Sequence, residues 1–77
     1  IHYPPSWTYK IIASSIIEIE RAVAYVLKEK ERSLSPSKTS SEGKFVSMEL
    51  NTHVISDKER TAIFHKIYSQ PGVKMVL

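Results

Sequence analysis

The stretch Lys44 to Val54, KFVSMELNTHV, alternates without a break, and this constrains the fold more than any other feature of the chain. Val46, Met48, Leu50, Thr52 and Val54 share one side of an extended backbone, while Phe45, Ser47, Glu49, Asn51 and His53 share the other. A strand of that length with one apolar side belongs in a sheet that is covered on one face and open on the other. In a chain of 77 residues, a small number of helices has to supply the cover.

Two segments answer that need. Ser15 with Glu18 and Ser56 with Glu59 are both capping-box pairs, in which a serine oxygen and a glutamate carboxylate satisfy N–H groups left unpaired at a helix start. After the first pair, Ile16, Ile19, Val23, Val26 and Leu27 recur at the helical period, and the charged run KEKER is expected to close that helix near Arg32. After the second, Arg60, Ile63, Phe64, Ile67 and Tyr68 mark an apolar stripe and its edge, and QPG stops the helix. Asp57 adds favourable negative charge to its first turn.

The remaining segments read as strands. Behind the proline-stiffened IHYPPS, the run Trp7 to Ala13 puts Trp7, Tyr9, Ile11 and Ala13 on one side, with Thr8, Lys10 and Ile12 opposite. At the other end, Val73, Met75 and Leu77 alternate with Lys74 and Val76, which places the first three inward. Ser33 to Ser40 is expected to form an edge strand, because Pro36 lacks a donor and edges tolerate that, with Gly43 in the turn to the long strand.

The resulting order predicts an α+β fold: a ferredoxin-like βαββαβ two-layer sandwich over residues 1–77 as a single domain. Its four-stranded antiparallel sheet runs in the order fourth, first, third, second, with both helices on one face. The expected core is Tyr9, Ile11, Ile19, Val23, Val26, Met48, Leu50, Ile63, Phe64, Ile67 and Met75. The open face should present Lys10, Ile12, Phe45, Ser47, Glu49, Lys74 and Val76 as a partner-binding surface, with Lys10 and Glu49 forming a cross-strand pair.

The segments PPSWTYKII, SSEGKFVSMEL and VKMVL resemble the YbeD-like family of small bacterial proteins of unknown function. That resemblance spans Pro4 to Leu77 and implies the same βαββαβ sandwich, similar to regulatory amino-acid-binding ACT domains. Some members carry a glycine after the first strand, where this chain has Ala13, Ser14 and Ser15. No functional residue is carried over from the family.

Chemistry is sparse in the sequence. His2, His53 and His65 lack the spacing of a metal set, and no cysteine is present. No serine sits in a nucleophile elbow, and Lys44 after Gly43 lacks the second glycine and following helix of a phosphate loop. The expectation is a protein that is not an enzyme and uses no cofactor or metal. The absence of cysteine and of a long apolar run points to a cytoplasmic protein that does not enter a membrane. The formal charge of +3 is spread along the chain, so nucleic acid is not the expected partner.

The function expected is therefore a regulatory or adaptor module that contacts a protein partner, a small effector or a second copy of itself as a homodimer. The alternative is RNA binding on the open sheet face, which RNA-recognition motifs of this topology use. Against their third-strand pattern, Ser41 to Met48 matches at Phe45 and Val46 alone.

Overall fold

In a computed structural model, residues 6–36 and 45–77 are described. The elements are β1 (Ser6–Ala13), α1 (Ile16–Leu27), β2 (Arg32–Pro36), β3 (Val46–His53), α2 (Asp57–Tyr68) and β4 (Val73–Val76). They form a four-stranded sheet in the order β2-β3-β1-β4. Every neighbouring pair is antiparallel, as the sequence predicts.

The serine half of each capping box forms. The Ser15 and Ser56 hydroxyls accept from the backbone N–H of Glu18 and Glu59, at 3.3 and 3.1 Å. At the start of α2 the Glu59 carboxylate reaches one residue further back than the usual box and accepts from Ile55 N at 2.8 Å. That hydrogen bond, followed by the nearby charge of Lys30, holds the Glu59 carboxyl below the usual carboxylate range despite partial desolvation.

The core lies between the sheet and the helices. Tyr9, Ile11, Ile19, Val23, Met48, Leu50, Ile63 and Ile67 are buried there as expected, joined by Ala13, Leu27 and Val54. Val26 and Phe64 are only partly buried at its margin. Two polar groups enter this layer with partners. Thr52 donates to Glu31 O at 3.0 Å, and the Tyr9 hydroxyl donates to Arg60 O at 2.8 Å.

Three expectations need correction. First, α1 ends at Leu27, well before Arg32. Lys28 turns the chain with φ 53 while its N–H still bonds Ala24 O. The Arg32 guanidinium then donates to Lys28 O and Lys30 O at 2.6 and 3.0 Å, so part of KEKER is a braced turn and Arg32 opens β2.

Second, β4 departs from simple alternation: Val73 packs against the core as expected and Lys74 is exposed, but Met75 and Leu77 are outward and Val76 inward. Ile11 faces Val76 and Ile12 faces Met75, but Ala13 faces Val73, so the register shifts between Ile12 and Ala13. An irregularity of this kind resets the two-residue alternation. Val76 therefore packs in the core at 2% exposure, while Met75 is 43% exposed and Leu77 is exposed too.

Third, Ile16, expected in the buried stripe, is exposed in the first turn of α1. The edge strand is real over Arg32–Pro36, with Pro36 opposite Met48. Its expected continuation through Ser40, the Gly43 turn and His2 lie outside the described residues.

Candidate interface on the open sheet face

β1, with β3 on one side and β4 on the other, supplies the centre of the open face. Lys10 stands directly opposite Glu49, the expected cross-strand juxtaposition. Ile12 stands between Ser47 on β3 and Met75 on β4. Phe45, just before β3, carries the Lys74 ammonium over its ring at 5.3 Å from the centroid. Lys10, Ile12, Ser47 and Glu49 thus share the open face of β1 and β3, with Phe45 and Lys74 beside one another. The remaining expected residue, Val76, lies in the core, and Met75 takes its place on the face.

The face is divided in character. Toward β4 it is apolar at Ile12 and Met75. Toward β2 it is polar, with Ser33 opposite Asn51 and Ser35 opposite Glu49. Asn51 donates to Thr8 Oγ1 at 2.9 Å, which fixes an amide that sequence reasoning assigned no partner. Its strand position opposite Thr8 was the available signal, since facing polar residues on one sheet face commonly pair.

The aromatic residues of β1 are on the other side. Trp7 lies beneath the Arg60 guanidinium, 4.4 Å from the ring centroid, and Tyr9 is buried. Burial raises the Tyr9 hydroxyl to about 12, against the opposing influence of Arg60. His53 on β3 and His65 on α2 are both exposed, on separate elements. Among the described residues, no three His, Asp or Glu side chains converge into a set able to hold a metal ion. Among the same residues, no helix is long and apolar enough to cross a membrane.

The architecture defines a class: small ferredoxin-like α+β proteins with both helices on one face and the other face of the sheet uncovered. Within it, the chain belongs to the family described as "Protein of unknown function (DUF493)", whose model matches residues 1–77. This agrees with the YbeD-like resemblance. The chain is 34% identical over 67 residues to the uncharacterized protein Cj0253 of Campylobacter jejuni, covering 87% of this chain and 77% of that one. It is also similar to the solution structure of HP0495 from H. pylori, with TM-score 0.76 and 26% identity over 100% of this chain and 85% of that one. A second solution structure of HP0495 from Helicobacter pylori matches with TM-score 0.69 and 27% identity, over 97% and 87% of the two chains.

Proposed function

We propose that the protein is a non-enzymatic regulatory or adaptor module that docks a protein partner on the open sheet face. The observation that carries this reading is the composition of the face: Ile12 faces Met75 across the β1–β4 pairing and the Phe45 ring lies under Lys74, with the charged Lys10 and Glu49 opposite each other on the same face. An apolar centre with a charged rim is the usual composition of a protein interface. RNA recognition by stacking calls for several aromatic rings on this face. Here β1 contributes Thr8, Lys10 and Ile12 to it, and the Phe45 ring is already engaged by Lys74. The absence of cysteine supports a cytoplasmic setting.

The test is capture from cell lysate at low and moderate salt, with and without nuclease, using the protein and its Met75→Glu and Phe45→Ser variants. Met75 is 43% exposed, so the new carboxylate disturbs the face and spares the core. A protein retained in every condition and lost with both variants supports docking. Capture that disappears on nuclease treatment, or turnover of a metabolite by the pure protein, refutes it.

A further inference from the structure

On the opposite side of the molecule an open groove of about 540 Å³ runs between the two helices. Tyr25, Val26 and Lys28 form its α1 wall, and His65, Lys66 and Gln70 form its α2 wall. Among the described residues, no acidic side chain lines it. Tyr25 is 67% exposed there, a large aromatic surface beside two ammonium groups. Gln70 Nε2 donates to Lys66 O at 3.3 Å, tying the last turn of α2 at the groove wall.

Lys28 supplies an independent observation. It has φ 53 and is the single described non-glycine residue with positive φ. Glycine takes such a conformation without steric cost, whereas a side chain there is strained. The chain therefore keeps a lysine at a position where the backbone conformation favours glycine, and that lysine lines the groove.

We propose that this groove binds an acidic, partly apolar peptide segment of a partner protein. Carboxylates of such a segment are matched by Lys28 and Lys66, and its apolar side chains by Tyr25 and Val26. The positive charge is local: Glu20 precedes Tyr25 on α1 and Glu29 follows Lys28, both exposed. A nucleic acid needs a continuous cationic track for its evenly spaced phosphates, and these acids interrupt one. This site is separate from the sheet face, so it stands or falls independently of docking there.

The probe is a short fluorescein-labelled peptide alternating glutamate with leucine, followed by anisotropy and by amide shifts of the labelled protein. Binding is expected to shift Tyr25, Lys28, His65 and Lys66, and to weaken about tenfold in Lys66→Gln through loss of a charge-assisted contact. Lys58→Gln, with the same change in net charge in the first turn of α2 and away from the groove, should bind as the parent does. Lys28→Gly should weaken the peptide while raising the urea midpoint of unfolding, a combination that a merely structural lysine does not produce. The proposal is overturned if the peptide leaves these amides unshifted, if Lys58→Gln weakens binding as much as Lys66→Gln, or if Lys28→Gly lowers the midpoint. It is equally overturned if a single-stranded oligonucleotide shifts the same amides at lower concentration than the peptide.

Discussion

Replacing Val76 with alanine and, separately, Met75 with alanine tests the register of β4 directly, because period-two alternation and the structure rank the two losses in opposite order. Val76 is 2% exposed and faces Ile11 across the β1–β4 pairing. Truncation removes two methyl groups from the core, worth about 1.6 kcal/mol at roughly 0.8 kcal/mol per carbon. Incomplete collapse of the space left behind raises the expected loss to about 2–2.5 kcal/mol. Met75 is larger, but its 43% exposure and position on the open face predict a loss below about 0.5 kcal/mol. A domain of this size has a total stability of roughly 4–12 kcal/mol, so the Val76 loss is a substantial fraction and easily measured. Urea unfolding followed by circular dichroism, with the slope unchanged between variants, provides the comparison. If Met75→Ala costs more than Val76→Ala, the register shift between Ile12 and Ala13 is wrong and β4 faces the other way.

Two further perturbations have defined outcomes. Gly72 has φ 87, and a Cβ added there collides with the Glu18 carboxylate, so Gly72→Ala should destabilise by about 1–3 kcal/mol in the same urea assay, with Glu18→Ala in the double variant recovering only the steric part. The Tyr9 hydroxyl is raised from 10.0 to about 12 in the folded protein, so its neutral form is favoured by folding; the associated stability is present below pH 10 and is lost as pH rises from there through about 12. Tyr9→Phe should abolish that part of the alkaline loss while costing about 1 kcal/mol at neutral pH for the hydrogen bond to Arg60 O, and an identical alkaline profile in parent and variant would contradict the burial of the hydroxyl.

Much of the architecture was legible because independent local signals agreed. The alternation of β3 fixed its inward side, and the Ser15 and Ser56 caps fixed where each helix starts. These elements follow from side-chain period and cap chemistry, both local in the chain. The end of α1 was hidden because KEKER is as compatible with a helix as with a turn, and Lys28 occupies a position where glycine is the usual signal. The exchange of Met75 and Val76 was hidden because it arises from the partner strand: nothing in VKMVL announces that β1 shifts register between Ile12 and Ala13. The candidate face was legible on β1 and β3, where the alternation is regular, and misread on β4, where it is not. The groove between the helices escaped sequence reading because it joins residues about forty positions apart through the crossing of two elements.

Trp7 is the chain's one tryptophan, and its ring sits beneath the Arg60 guanidinium at the junction of β1 with the first turns of α2. Its emission is therefore a built-in optical probe of that junction, separate from the sealed layer around Leu50 and Ile67. Unfolding followed by tryptophan fluorescence reports when α2 lifts from the sheet, whereas circular dichroism reports the loss of helices and strands throughout the chain. The two signals coincide if the domain melts as one unit, and a fluorescence change that comes first identifies the α2 entry as the place where the structure opens.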